Sequence, residues 1–321
     1  VKKKKKRKGP WLQYIEYLIV LTLFRSIARL PYKGASDLGG LIGRIGYFID
    51  RRHREISIKN LQMAFPEEDK KRILMIAKRS FENLGRSVAE VVQIAGSPPS
   101  LLRKTLAERV DIEGIDRLYQ AIERGNGILL ITAHFGNWEL LGITLAAKGI
   151  PLNSIVRPLD NPWIDRLSTS LRSITGARVI PKKGSLREVL RRLRSGEGIG
   201  ILIDQNTSRD EGVFVDFFGN LAATNKGPAL IAMKSKAPVL PVFIIRKGRY
   251  NHKIVFGEEV PVHKTGRTGE DTVVNTQRFT REIESYIRRY PCHWFWMHRR
   301  WKTRPEAQAE AITLSDFRPV Q

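Results

Sequence analysis

The stretch Ile128-Leu129-Leu130-Ile131-Thr132-Ala133-His134-Phe135-Gly136-Asn137-Trp138-Glu139 decides how this chain folds. Residues 128–133 form a short, almost continuous apolar run, which is the signature of a strand covered on both faces. The glycine and asparagine that follow mark a turn, and residues 140–147 read as a helix. Working outward from this unit, residues 152–156, 178–180, 200–203, 239–245 and 254–256 read as further strands, the last of them near an edge. Residues 163–174, 186–193, 228–233 and 278–287 read as helices between or after them. Alternation of this kind predicts an α/β fold with a mostly parallel central sheet flanked by helices and a ligand site beyond the C-terminal strand ends.

Upstream the chain reads differently. Residues 34–46 are punctuated by glycine, and Phe65-Pro66-Glu67-Glu68 places proline and acids where a helix would start. Ile73, Ala77, Phe81, Leu84, Val88 and Val91 then recur at helical spacing, predicting one buried face. No Pro/Gly/Ser-rich linker divides the chain. The expected organisation is therefore a basic run and helix over residues 1–30, one α/β domain over 31–305 and a tail over 306–321.

The 321 residues carry 56 Lys+Arg against 32 Asp+Glu, a net charge of +24, while 42% hydrophobic content excludes a disordered basic tail or a low-complexity polymer. Cys292 stands alone, which excludes an internal disulfide framework and a cysteine-rich zinc module. Residues 2–8 hold seven of the positive charges, so the remainder still carries +17. Three classes of partner suit such a surplus: nucleic acid, an anionic membrane surface, or an acidic or phosphorylated substrate.

Residues 11–24 discriminate among them, because eleven of these fourteen are apolar or aromatic and they follow directly on the lysine run. No small-residue cleavage site follows, as a secretory signal peptide would require. The stretch is shorter than the ~20 residues of a full span and contains Glu16. It is read as a membrane-associated N-terminal helix, dipping into the leaflet or crossing once, with the basic run on anionic lipid. A plain amphipathic helix packed on the domain is the alternative.

Chemistry concentrates in the opening stretch. His134 falls at a strand end and Glu139 in the first turn of the next helix, so the turn can fold the carboxylate onto the imidazole. A carboxylate on one ring nitrogen leaves the other as a proton acceptor, the apparatus that activates a hydroxyl. No Gly-x-Ser-x-Gly elbow is present, which favours direct attack over a covalent acyl-enzyme. His-Glu-x-x-His is also absent, and neither a metal nor another cofactor is expected. Asp204 ends another buried strand, where an ionised side chain needs a partner; an ordinary strand-end ion pair is its alternative. A structural histidine is the bland alternative for His134.

His134-Phe135-Gly136-Asn137-Trp138-Glu139 resembles the His-x-x-x-x-Asp/Glu motif of the glycerol-phosphate acyltransferase superfamily, in the form found in the bacterial lipid A late acyltransferases (lauroyl and myristoyl transferases). Other blocks agree in order: Arg157-Pro158 with Asn161-Pro162, Leu202-Ile203-Asp204-Gln205, Phe217-Phe218-Gly219, Ala237-Pro238-Val239 with Pro241, and Trp294 through Lys302. The resemblance implies acyl transfer from acyl carrier protein, or acyl-CoA, to a hydroxyl of a lipid A precursor at the cytoplasmic face of an inner membrane. It implies His134 as general base with Glu139 orienting it. Arg157, Gly136, Asn137 and Asp204 are then candidates for oxyanion or substrate contact. Another membrane glycolipid or phospholipid acceptor is the nearest alternative, and a nucleic-acid-binding protein the alternative from a different class.

Two basic clusters fit those partners. Arg187, Arg191 and Arg194 share one helical face, suited to an acidic carrier protein or simply solvated. Arg299 and Arg300, interleaved with Trp294, Trp296 and Trp301, suit a bilayer surface or a phosphorylated headgroup, with ordinary packing and base stacking as alternatives.

Overall fold

The computed structural model describes residues 9–150, 152–156, 158–173, 176, 178–181 and 184–305. Five helices lead: α1 (Pro10–Ala28), α2 (Tyr32–Ile49), α3 (Arg51–Ala64), α4 (Lys70–Ala95) and α5 (Pro99–Arg109). The alternating part runs β1 (Val110–Glu113), α6 (Ile115–Glu123), β2 (Ile128–Thr132), α7 (Trp138–Ala147), β3 (Leu152–Val156), α8 (Pro162–Ser173), β4 (Arg178–Pro181), α9 (Leu186–Arg194) and β5 (Gly198–Leu202). A hairpin, β6 (Gly212–Phe217) and β7 (Asn220–Asn225), interrupts it before α10 (Gly227–Ser235), β8 (Val239–Lys247), β9 (Asn251–Phe256) and α11 (Thr268–Arg289), and a 3-10 turn (Pro291–His293) follows.

Seven strands form one sheet in the order β1-β9-β8-β2-β5-β3-β4, parallel throughout except between β8 and β9. The predicted α/β class and mostly parallel sheet are what the chain adopts. Strands β2 and β8 are continuous apolar runs because both their faces are covered. Leu129, Ile131, Val239, Phe243 and Ile245 enter one buried cluster, and the alternate residues Ile128, Leu130, Leu240, Val242 and Ile244 enter the other. The 254–256 strand lies next to the edge, as expected, with β1 pairing outside it.

The glycine-punctuated stretch is the interior of α2, with Gly39, Gly40 and Gly43 facing α4. A Cβ on Gly39 would lie 2.3 Å from the Gly85 carbonyl oxygen, and one on Gly43 2.3 Å from that of Phe81. The helices therefore meet backbone to backbone, a contact only glycine permits. Helix α4 begins after Asp69, whose carboxylate accepts the Arg72 N–H at 2.7 Å, so Pro66 to Glu68 form a turn ahead of the cap. Val88, expected in the core, is exposed.

Among the described residues no helix is long and apolar enough to cross a membrane. Helix α1 buries no residue fully; Tyr14 and Tyr17 pack on Trp163 of α8, while Trp11, Leu12, Ile19 and Leu23 remain exposed.

The glycine contact generates a prediction. Gly39→Val forces α2 and α4 apart and lowers stability by about 1–3 kcal/mol, the usual range for overpacking. Gly34→Ala, in the same helix but meeting only the Pro31 side chain at 3.9 Å, raises stability by up to ~1 kcal/mol. Urea midpoints of the two variants check both signs.

Candidate active site

Parallel pairing builds the site. Thr132 on β2 lies opposite Leu202 on β5, so two residues further on His134 and Asp204 leave adjacent strand ends side by side. The imidazole Nδ1 is 2.9 Å from Asp204 Oδ1, and the His134 backbone N–H donates to Oδ2 at 3.0 Å. Trp294 Nε1–H donates to the same Oδ2 at 2.7 Å. Burial alone would push this carboxyl up, but the imidazole and these donors hold it below the ordinary aspartate value. An ionised Asp204 fixes the proton on Nδ1 and leaves Nε2 with its lone pair, on the side of Gln205. Asp204 is 2% exposed at its side chain, whereas His134 is 24% exposed, so the imidazole is reachable and its partner is not.

The expectation that Glu139 orients the imidazole is corrected by this geometry. Glu139 receives a two-pronged contact from Arg172 of α8, at 2.9 and 2.5 Å. A parallel register places Asp204 against the ring directly, and the first turn of α7 carries Glu139 toward α8. Gln205, next to Asp204, was not singled out from the sequence; its Nε2 lies 3.3 Å from His134 Nε2.

Gly136 is also reassigned. Its φ is +58°, and a Cβ there would lie 1.9 Å from the Ile244 carbonyl oxygen, so only glycine fits. Its amide donates to the His293 carbonyl at 2.9 Å and is unavailable to an oxyanion. The Asn137 side chain caps α7 by accepting the Leu140 N–H, and donates to Glu90 Oε2 at 3.0 Å. Arg157, with Lys182 and Lys183, lies outside the described residues.

The tryptophan-rich segment is the largest correction. Trp294, Trp296 and Trp301 are buried, and Arg300 is fully so. Its guanidinium donates to the Ala223 carbonyl and the Thr224 hydroxyl and lies over the Phe217 ring. Arg300 is therefore internal to the fold and makes no lipid contact, because the hairpin supplies acceptors that a buried guanidinium needs. Burial pushes its pKa down to about 10, leaving it charged at neutral pH. Arg299 is exposed, as are Arg187, Arg191 and Arg194, although Arg191 shares Glu188 with Arg192.

Aromatic rings frame the imidazole: Trp138 lies 5.2 Å from its centroid and Phe295 6.3 Å. Behind Trp138 is a largely apolar cavity of about 150 Å³ bordered by Leu84, Val88, Val91, Ile143 and Leu171. Among the described residues no three His, Cys, Asp or Glu side chains stand together as a metal site requires.

A reachable histidine–aspartate pair at parallel strand ends, with an apolar cavity nearby, is an arrangement suited to an α/β enzyme. Residues 2–303 match the family described as bacterial lipid A biosynthesis acyltransferase. The chain is 30% identical over 285 residues to a lipid A biosynthesis palmitoleoyltransferase of Escherichia coli (strain K12), covering 88% of this chain and 89% of that protein. It is 27% identical over 283 residues to the lipid A biosynthesis lauroyltransferase of the same organism, covering 87% and 89% respectively. A phosphatidylinositol mannoside acyltransferase of Mycolicibacterium smegmatis is 28% identical over 207 residues, 63% of this chain and 66% of that one. The chain belongs to the bacterial lipid A biosynthesis acyltransferase family, and it is an acyltransferase.

The site also carries a pH signature. Burial pushes His298 down to about 4, against the upward pull of Asp204, and its Nε2 accepts the Asn206 N–H at 2.9 Å. Burial and Arg246 bring His293 to about 4 as well. Unfolded histidines titrate near 6.5. As pH falls from about 6.5 to about 4 the unfolded chain takes up these protons first, so stability is present above that window and lost within it. Urea midpoints should fall across it, and His298→Gln should reduce the slope.

Proposed function

We propose that the protein moves a fatty acyl chain from a thioester, on acyl carrier protein or acyl-CoA, to a hydroxyl of a lipid A precursor. The observation that carries the mechanism is the 2.9 Å contact between His134 Nδ1 and buried Asp204. With Nδ1 committed, Nε2 accepts the proton of the acceptor hydroxyl as its oxygen attacks the thioester carbonyl carbon. The tetrahedral intermediate collapses with cleavage of the carbon–sulfur bond. The leaving thiolate takes the proton back from the imidazolium, which Asp204 has stabilised meanwhile. Such a pair contributes typically 10²–10⁴-fold to rate.

Glu139 and Arg172 together brace α7 against α8 and border the apolar cavity, which we assign to part of the acyl chain. Arg157, directly after β3 in sequence, keeps the oxyanion or substrate-phosphate role that the family motif implies, and Asn137 contributes by holding the turn. Arg187, Arg191 and Arg194 on exposed α9 are the proposed docking face for an acidic carrier. The exposed apolar residues of α1, with the basic run before it, are the proposed contact with an anionic inner membrane, the catalytic part lying on its cytoplasmic side.

The test is transfer of labelled acyl groups to purified lipid A precursor, with a phosphatidylinositol mannoside as competing acceptor. His134→Ala should lose at least three orders of magnitude in kcat while keeping its urea midpoint, and normal turnover in that variant would falsify the base assignment. Asp204→Asn should lose 10²–10⁴-fold and shift the pH–rate profile. Glu139→Gln and Arg172→Gln should leave the profile's midpoint in place, and the double variant should be no worse than the poorer single one, because the two side chains act as one contact.

A further inference from the structure

Helix α4 separates two unlike cavities. One is the apolar cavity behind Trp138; the other, about 350 Å³, is lined by Arg44, Arg79, Arg86, Arg246 and Arg249, with Glu82 as its carboxylate. The α4 residues Arg79, Glu82 and Arg86 face the cationic cavity, and Leu84, Val88 and Val91 face the apolar one.

Three of these arginines have anionic partners. Arg86 is held by Asp37 and Glu82, each at 2.9 Å, Arg249 by Asp37 at 2.9 Å, and Arg246 by the fully buried Glu90, with Nη2 to Oε2 at 2.9 Å. Among the described residues Arg44 and Arg79 have no carboxylate partner, and both side chains are exposed at the cavity. Five guanidiniums thus face three carboxylates, an excess of two charges that matches a phosphate monoester dianion, and guanidinium forks fit phosphate oxygens in pairs.

The cavity rim indicates what the phosphate is attached to. Helix α2 leaves Leu41, Ile42, Ile45, Phe48 and Ile49 exposed on one stripe, Ile49 at 77%. Arg44 falls at i+3 from Leu41 and i−4 from Phe48, along the edge of that stripe. Lys78 of α4 adds a cation 5.4 Å from the Phe48 ring. A cationic cavity bordered by an uncovered apolar helix face has the complement of an anionic amphiphile: charge in the cavity, apolar chains along the helix.

The cavity is also tied to the reaction centre. The Arg246 backbone N–H donates to His293 Nε2 at 3.1 Å, and the His293 carbonyl accepts from Gly136, two residues after His134. We propose that this arginine cavity binds a phosphate monoester carried by the lipid acceptor, with the acceptor's apolar portion along α2. This inference rests on the acyl-transfer reading, and its test has an arm that does not.

The double variant Arg44→Gln/Arg79→Gln is compared with wild type and with Arg103→Gln/Lys104→Gln, which removes equal charge on α5. In the kinetic arm, wild type should show at least a tenfold lower KM for phosphorylated lipid acceptor than for the same lipid after phosphatase treatment. The Arg44/Arg79 variant should bring that ratio close to one, and the α5 variant should keep it. In the binding arm, His134→Ala protein is floated with zwitterionic vesicles doped with the phosphorylated or phosphatase-treated lipid. Preference for the phosphorylated lipid, lost when Arg44→Gln/Arg79→Gln is added, supports the site even if no acyl transfer is seen with any acceptor. Equal binding of both lipids overturns it. So does equal competition by phosphatidylglycerol vesicles, which would make the bulk bilayer the ligand.

Discussion

The structure around His134 depends on keeping one carboxylate ionised out of water. Asp204 is almost wholly buried, and an unpaired charge there would be prohibitively unfavourable. Three donors offset its desolvation: two from His134 and one from Trp294, ninety residues away. The condition reaches further than the pair itself. Trp294 can donate only if the segment after α11 crosses the strand ends, which it does by bridging Phe135 and bonding Phe295 N–H to the His134 carbonyl at 3.0 Å. This segment thus holds His134 from the carbonyl side while Asp204 holds it from the ring and amide side.

A second buried anion performs the same service for the other end of the turn. Glu90 on α4 is fully buried and receives Ser36 from α2, Asn137 from the turn, Arg246 from β8 and His252 from β9. Burial opposes its ionisation, yet His252 and Arg246 bring its pKa down to about 2. Four elements therefore converge on the carboxylate of a fifth, and one of the four is the turn that carries the N-cap of α7. The close backbone contact of α2 with α4 is what brings Ser36 within 2.7 Å of Glu90, so the glycines of α2 serve the turn at second hand.

Much of this was legible in the sequence, with the gaps where physics predicts them. Strand β2, the strand-end position of His134 and that of Asp204 follow from local apolar periodicity. Their partnership is not legible, because it requires knowing that β2 and β5 are neighbours with Thr132 opposite Leu202; sequence proximity points to Glu139 instead. The signal that could have found it is the coincidence of two polar residues at the ends of two buried parallel strands. Helix α2 was obscured because glycine lowers local helix propensity while permitting the packing that compensates. The internal place of Arg300 is not legible, because charge alone does not reveal acceptors supplied by a distant hairpin. The chemistry had a legible local motif, and the support did not.

The exposure of His134 poses a constraint that the proposed reaction must meet. A base 24% exposed can be reached by an acceptor hydroxyl, and water can reach it by the same path. Water activated by the same imidazole would hydrolyse the thioester, so transfer requires that the substrates themselves complete the enclosure. The protein supplies part of the wall in Trp138 and Phe295, and the apolar cavity beyond Trp138 offers room for a segment of chain rather than for all of it. The remainder of the acyl donor and the body of the acceptor must then lie over the base and displace solvent from it. An enzyme built in this way favours transfer over hydrolysis only when both substrates are present. That requirement is best met where the acceptor is held in place before the thioester arrives.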